Sequence, residues 1–136
     1  MDVKKPRFIL DSFALLAFFQ GELAGEQVRD ILSKAQHGRV QVFFSVINLG
    51  EIYYILARKE GQQKARDIIN DISRLPLEML DAGTNRVLAA AEIKAHYPIS
   101  YADAFVAAAA IEFSADIVTG DPEFKSMASK ISIIWI

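Results

Sequence analysis

The chain has 136 residues, 52% of them hydrophobic and 24% charged, which is typical of a folded globular protein and excludes the disordered class. The length suits one domain over residues 1–136, and the net charge of −2 argues against a surface that is basic throughout. Because there is no cysteine, disulfides, thiol nucleophiles and zinc–thiolate sites are excluded, and any metal must be bound by oxygen or by histidine.

The first apolar run, from Phe8 to Phe19, contains Asp11 and is too short and too polar to cross a membrane. Basic residues precede it, but no convincing signal-peptide cleavage site follows, so we expect a soluble, cytoplasmic protein with no membrane attachment. The pattern changes at Asp11 and Ser12, because residues 7–10 indicate a short strand and the residues after Ser12 repeat with helical spacing. The segment therefore predicts a strand, a turn and a helix.

The rest of the chain alternates between helical periodicity and short β-branched or aromatic runs. Further helices are predicted over 26–36, 49–56 with Ser45 as the cap, 65–72, 87–95, 100–113 and 122–129. Further strands are predicted over 40–44, 77–80, 116–119 and 131–136. Short apolar strands separated by helices indicate a parallel sheet covered on both faces. We therefore predict an α/β fold, a three-layer α/β/α sandwich with a short central parallel sheet.

Three aspartates lie where an ordinary helix cap would explain each of them singly. Asp11 follows the first strand and precedes a helix. Asp103 comes three residues after Ser100, at the start of the alanine-rich helix, as in a capping box. Asp121 precedes Pro122, which suits the first helical position. The ends of strands are also where open α/β sheets bind ligands, so each aspartate fits a functional role as well.

Glu51 has no capping role, because it lies in the middle of a helix with apolar residues around it. A carboxylate held against a core is costly unless it is paired or bound to a cation. No basic residue lies within one helical turn of Glu51, and Arg58 is two turns away. A partner from elsewhere in the fold is the structural alternative.

Taken together, the four acids predict a metal site formed by Asp11, Glu51, Asp103 and Asp121. The predicted fold lets all four meet at one edge of the sheet. Carboxylates this close raise each other's pKa unless a cation neutralises them. Mg²⁺ and Mn²⁺ prefer oxygen ligands and suit substrates that carry phosphate. Bound cations would also reverse the sign of the net charge, so the acidic balance does not exclude a nucleic-acid substrate.

Four short motifs occur in order along the chain: FILDS at 8–12, NLGE at 48–51, YADA at 101–104 and TGDPEF at 119–124. In this order and spacing they resemble the PIN domain, and in particular the single-domain PIN ribonucleases that act as VapC-type toxins of toxin–antitoxin pairs. The resemblance implies that the four acids bind one or two Mg²⁺ or Mn²⁺ ions and that the chain hydrolyses RNA phosphodiester bonds. It implies polar, substrate-positioning residues at Ser12 and Thr119. It also implies a homodimer and an antitoxin protein that packs near the active site.

Several neighbouring residues allow two interpretations. Glu123 is expected to be a structural residue of the first helical turn rather than a ligand. The large apolar residues of the first helix are either a partner surface or part of the core; they are Phe13, Leu16, Phe18 and Phe19. Tyr53 and Tyr54 either stack on RNA bases or, as the preferred interpretation, pack in the core. His37 and His96 share no metal-ligand spacing and are not expected to bind a metal.

Other functions remain as alternatives. A phosphatase of the haloacid dehalogenase type would need an aspartate two residues after Asp11, where Phe13 stands. A response-regulator receiver would need an acidic pair near the N-terminus, which is absent. A PIN-like module that binds RNA or protein without cleaving it stays open, as does a housekeeping nuclease without an antitoxin.

Overall fold

The computed structural model describes residues 4–136, and within them five strands form one parallel sheet in the order β3-β2-β1-β4-β5. The strands are β1 Arg7–Leu10, β2 Gln41–Ser45, β3 Glu78–Leu80, β4 Asp116–Thr119 and β5 Ile133–Trp135. The helices are α1 Ser12–Phe19, α2 Ala24–Gln36, α3 Val46–Glu60, α4 Gln62–Ile72, α5 Thr84–His96 and α6 Tyr101–Phe113. A 3₁₀ helix, Pro122–Met127, connects β4 to β5.

Helices cover both faces of the sheet, which confirms the predicted α/β/α arrangement. Neighbouring residues of a strand point to opposite faces, so Ile9 of β1 belongs to one core and Leu10 to the other. The first core is closed by α5 and α6, and the second is closed by helices α1 to α4. Burial on both faces explains why these strands are apolar throughout instead of alternating with polar residues.

Helix α6 is the most deeply buried helix, with every residue from Ala104 to Ala110 in the core. Alanine has the highest helix propensity and a small side chain, which favours a helix enclosed on all sides. The helix presents its N-terminal end, and with it Asp103, at the edge of the sheet where the strands end. Within residues 4–136, no helix has the length and apolar character needed to cross a bilayer.

The predicted elements are all present, and the differences lie at their ends. Helices α3 and α5 extend further, because their terminal turns consist of exposed polar residues that apolar periodicity does not detect. Helix α4 begins directly after Gly61, whose φ of +93° permits a sharp junction. The helix predicted over 122–129 is a shorter 3₁₀ helix. The last strand covers only Ile133–Trp135, because it pairs with β4 alone and β4 is short.

Candidate metal centre

Strands β1 and β4 are neighbours in the sheet, so the residues that follow them lie side by side. Leu10 pairs with Val118, and this register brings Asp11 next to Thr119. The buried Thr119 hydroxyl donates a hydrogen bond to Asp11 Oδ2 and accepts one from the Asp121 backbone N–H at 2.9 Å. A chain of hydrogen bonds thus connects Asp11 to the start of the 3₁₀ helix.

Asp11 makes the capping bond that the sequence predicted and a second bond across the edge of the sheet. Its Oδ1 caps α1 by accepting a hydrogen bond from the Ala14 backbone N–H at 2.9 Å, while its Oδ2 points to Thr119. Only 2% of Asp11 is exposed, and this burial is the main reason that its pKa is raised to about 7. The two hydrogen bonds lower the pKa, whereas the negative charges of Asp121 and Glu51 raise it.

Glu51 of α3 approaches the same edge from the side of β2. Ser12 donates its hydroxyl to Glu51 Oε1, and Asn48 donates its amide N–H to the same oxygen at 3.2 Å. Asn48 also donates to the Ser12 hydroxyl at 3.2 Å. The tertiary partners of Glu51 are therefore neutral donors, which fix its position without compensating its charge. Within residues 4–136, no hydrogen bond reaches Oε2, which leaves that oxygen for a cation.

Asp103 and Asp121 are brought together with Glu123. One carboxylate oxygen from each of these three residues lies within 4.8 Å of the others. Asp121 also caps the 3₁₀ helix, because its Oδ1 accepts the Glu123 backbone N–H at 2.9 Å. The sequence placed Glu123 outside the site, whereas the structure places its carboxylate at the distances that ligands of one metal ion have.

The capping box predicted at the start of α6 is made only in part. The Ser100 hydroxyl accepts the Asp103 backbone N–H at 3.2 Å, as expected. The reciprocal bond is different, because the Ser100 backbone N–H donates to Glu123 Oε2 at 3.4 Å and not to Asp103. Glu123 thereby takes over the capping role and leaves the Asp103 carboxylate for the cluster.

The electrostatics of Asp103 reflect a carboxyl group without a cationic partner. Only 6% of Asp103 is exposed, and burial is the largest cause that raises its pKa to about 9. The neighbouring carboxyl groups of Glu123 and Asp121, together with the negative charge of Asp11, raise this pKa further. Asp11 raises the pKa of Asp103 and Glu51 raises that of Asp11, so the charges of the predicted acids influence one another. Asp11 and Glu51 nevertheless lie outside the group of three carboxylates within 4.8 Å of one another.

A divalent cation fits these residues. Asp103 Oδ2 is buried and has no hydrogen-bond partner among residues 4–136, which is costly unless another ligand satisfies it. The ion pairs in this part of the chain join Arg86 to Asp81 and Glu112, so no basic side chain neutralises the cluster. An all-oxygen donor set of this kind suits Mg²⁺ or Mn²⁺.

Three polar residues donate hydrogen bonds to the carboxylates, of which the sequence named Ser12 and Thr119 but not Asn48. Ser12 and Thr119, expected beside the substrate, donate their hydroxyls to the carboxylates and are almost fully buried. Asn48 was not assigned a role, although it is fully buried and orients Glu51. Its position three residues before Glu51, on the same face of α3, is the signal that could have identified it.

The large apolar residues of α1 that were expected either in the core or on a partner surface are partly buried, except for Phe13, which is exposed. Leu16, Phe18 and Phe19 pack against the core on the side of helices α1 to α4, as does Tyr53 of α3. Phe13 is 41% exposed and lies against Gly120, where a Cβ atom would collide with its ring. Phe13 thus lies at the rim of the carboxylate cluster.

Comparisons with known proteins agree with this geometry. A family model for the PIN domain matches residues 8–130. The structure of VapBC2 from Rickettsia felis, bound to a DNA fragment from its promoter, is 17% identical with a TM-score of 0.72, covering 94% of this chain and 97% of that chain. DNA-bound VapBC from Salmonella typhimurium is 18% identical with a TM-score of 0.73, covering 95% and 97%.

A third structure is VapC20 from Mycobacterium tuberculosis, described as a toxin that cleaves the sarcin-ricin loop. It is 17% identical with a TM-score of 0.69, and the similarity covers 92% of this chain and 95% of that chain. No curated protein matches in sequence. At these identities, the structural similarity shows a shared fold.

Proposed function

Because the chain belongs to the PIN domain family, we propose that it is a divalent-metal-dependent ribonuclease that forms one domain over residues 1–136. Asp11, Glu51, Asp103 and Asp121 would hold one or two Mg²⁺ or Mn²⁺ ions. The observation that carries the proposal is the buried Asp103 oxygen without a partner, in a carboxylate cluster that no basic residue neutralises. A bound ion of this kind lowers the pKa of water and stabilises negative charge on phosphate oxygens.

The residues of the chain supply the arrangement in which such an ion acts. Thr119 holds Asp11 from one side, while Ser12 and Asn48 hold Glu51 from the other. We assign these three polar residues to the positioning of carboxylates, because each donates a hydrogen bond to one of them; Asn48 Oδ1 itself is buried without a partner among residues 4–136. Fixed ligands need no reorganisation when the substrate arrives, which is how a preorganised site lowers a barrier.

Glu123 offers a fifth carboxylate at ligand distance from Asp103 and Asp121. It is exposed, whereas Asp103 is buried. We propose that Glu123 completes the set on the solvent side, where phosphate and water reach the ion. Its capping bond to Ser100 holds it in place without neutralising it.

We further propose that the chain is the toxin of a toxin–antitoxin pair, acting in the cytoplasm as a homodimer and controlled by an antitoxin protein. The support is the likeness to two structures described as VapBC and to VapC20, described as a toxin that cleaves the sarcin-ricin loop. A housekeeping PIN nuclease would have no antitoxin. A small DNA-binding protein encoded directly upstream, whose coexpression restores growth, distinguishes the toxin from the housekeeping enzyme.

Induced expression tests the proposal in cells. Expression without a partner is expected to arrest growth, and Asp103→Asn is expected to abolish the arrest while the protein remains folded and equally abundant. Asp30→Asn, an exposed residue of α2 far along the chain from the cluster, serves as the matched control and should arrest growth like the wild type. Equal arrest by Asp103→Asn would contradict the metallonuclease function and favour a module that binds without cleaving.

A further inference from the structure

Four aromatic side chains of the described chain are between 41% and 46% exposed: Phe13, Tyr54, Tyr101 and Trp135. Three of them lie within three residues of Asp11, Glu51 or Asp103 in the sequence, and Trp135 pairs with Thr119 in the sheet register. Single exposed apolar residues need no explanation, and Tyr101 has an edge contact with Phe105. Tyr54 is the one whose ring has a cation beside it, and an aromatic face with a cation suits a ligand with flat apolar groups.

Tyr54 is distinguished from the other three by a cation. The Arg58 guanidinium lies 5.0 Å from the centre of the Tyr54 ring, and both side chains are exposed. Within residues 4–136, no carboxylate pairs with Arg58 and no hydrogen bond fixes it. In α3, Tyr54 lies one turn and Arg58 two turns after Glu51, so the three follow one stripe that leads away from the cluster over about 10 Å.

Gly50 provides a second, independent observation. It lies inside α3, where glycine is the least favourable residue except proline. A Cβ atom at Gly50 would meet nothing within 4 Å, whereas at Gly25 it would lie 2.5 Å from the Ala17 carbonyl oxygen. Packing within the chain therefore requires glycine at position 25 and not at position 50. Because Gly50 is one turn before Tyr54, its missing side chain keeps the helix surface beside the ring open.

We propose that Tyr54 and Arg58 bind the nucleotide next to the phosphate held at the carboxylates. An unpaired base stacks on the Tyr54–Arg58 pair over the open surface at Gly50, and the guanidinium neutralises the adjacent backbone phosphate. Proteins bind single-stranded nucleic acid through this combination of aromatic faces and cations. A basic side chain is needed outside the group of acids, because the negative charges of the acids repel the neighbouring phosphates of the RNA backbone. The inference rests on the proposed ribonuclease function.

A structural role for the same pair makes different predictions. Tyr54 and Arg58 are four residues apart on a helix, and Arg58 is in the last turn, where the helix dipole favours a cation. Both effects stabilise α3 without any ligand. A purely structural pair would change the melting temperature when mutated and would leave base recognition unchanged.

RNA binding separates the two roles when cleavage is prevented. The probe is a fluorescein-labelled single-stranded RNA of mixed sequence, titrated with Asp103→Asn protein in Mg²⁺ and followed by fluorescence anisotropy. Adding Tyr54→Leu is expected to weaken binding about 5- to 150-fold, the range for losing one stacked base. Tyr54→Phe keeps the stacking face and should bind within about twofold of its parent. Arg58→Gln should weaken binding and reduce the salt dependence by about one phosphate contact.

Two controls make the result specific. Lys59→Gln removes the same charge from the next residue, which does not cover the ring, and should have the smaller effect. RNA that lacks the bases but keeps the backbone should bind Asp103→Asn more weakly than normal RNA does, and Tyr54→Leu should weaken its binding no further. Unchanged binding by Tyr54→Leu, or an equal loss with both RNAs, would overturn the inference.

The remaining outcomes are also decisive. If Tyr54→Leu loses an antitoxin protein while RNA binding stays unchanged, the surface is a protein interface and the inference is wrong. If the wild type cleaves no RNA but binding still depends on Tyr54 and on the bases, the nucleotide site stands and only the ribonuclease function fails. If cleavage occurs and Tyr54→Leu leaves RNA affinity intact, the ribonuclease function stands and the nucleotide site fails.

Discussion

Without metal, Asp103 should make the stability of the protein fall steeply as the pH rises. Its pKa is raised from 3.8 to about 9, chiefly by burial. The folded protein therefore holds a proton that the unfolded chain has already lost between about pH 4 and pH 9. In this window the free energy of unfolding decreases by about 1.4 kcal/mol per pH unit. From pH 5 to pH 8 the loss amounts to roughly 4 kcal/mol as an upper bound.

The Asp103→Asn variant isolates this contribution, because the amide is neutral at every pH and has nearly the same shape. In EDTA, the variant should be more stable than the wild type at pH 8, and the difference should shrink towards pH 5. Urea unfolding at both pH values, with the slopes compared to confirm similar exposed surface, measures it. Asp30→Asn should follow the wild type, since this exposed residue of α2 lies outside the cluster.

Adding Mg²⁺ should reverse the order at pH 8. An ion that binds only the folded protein stabilises it by about 2.7 kcal/mol at a hundred times its Kd. The wild type should gain this stability, and Asp103→Asn should gain less because a ligand is missing. Two results together would refute the account of a buried, uncompensated carboxylate. In EDTA, the difference in stability between wild type and variant would be the same at pH 5 and pH 8, and Mg²⁺ would not stabilise the wild type.

Three further substitutions test the positioning of the site. Thr119→Val removes the hydroxyl bonded to Asp11, so it should cost about 1–3 kcal/mol and weaken Mn²⁺ binding in calorimetric titrations; unchanged affinity would contradict its role. Glu123→Gln keeps an acceptor for the Ser100 N–H at the start of α6 but loses the negative charge. A weaker Mn²⁺ affinity at unchanged stability would identify Glu123 as a ligand. An unchanged Mn²⁺ affinity would identify it as a structural residue. Gly120→Ala should destabilise the protein by about 1–3 kcal/mol, because its Cβ meets the Phe13 ring and lies 3.0 Å from the Ile136 carbonyl oxygen. Part of the loss should vanish in Phe13→Ala, whereas fully additive losses in urea unfolding would exclude the contact with Phe13.

The fold followed from the sequence because its strands are apolar on both faces. Residues such as Ile9 and Leu10 are both buried, on opposite sides, and only a sheet between two helical layers can bury both. The ends of helices were less predictable. Periodicity detects residues that face the core, whereas the final turns of α3 and the first turn of α5 consist of exposed polar residues.

The sequence also predicts that the four acids meet at one edge of the sheet, where the ends of parallel strands lie, and the structure groups two of them, Asp103 and Asp121, with Glu123. Ser12 and Thr119 were named only through the family resemblance, because their bonds to Glu51 and Asp11 join segments distant in sequence. Asn48 was missed although its bond to Glu51 spans only three residues of one helix. Glu123 was expected to be structural, and its side chain does complete the cap of another helix. Its own helix gave no indication that the carboxylate also lies near Asp103 and Asp121.

Tyr53 and Tyr54 show the same limit at the level of single side chains. Adjacent residues on a helix differ by about 100°, so one ring packs on the core and the other is exposed. From the sequence, both tyrosine rings were expected to pack in the core. That interpretation is right for Tyr53 and wrong for Tyr54.

Cleavage of RNA by the purified protein tests the central claim most directly. Wild-type protein with Mg²⁺ or Mn²⁺ should cleave single-stranded RNA, and excess EDTA should stop the reaction until metal is restored. Folded Asp103→Asn, purified in the same way, should be inactive, and Asp30→Asn should be as active as the wild type. Cleavage that persists in EDTA, or that Asp103→Asn performs at the wild-type rate, would contradict a metal-dependent ribonuclease built on these carboxylates.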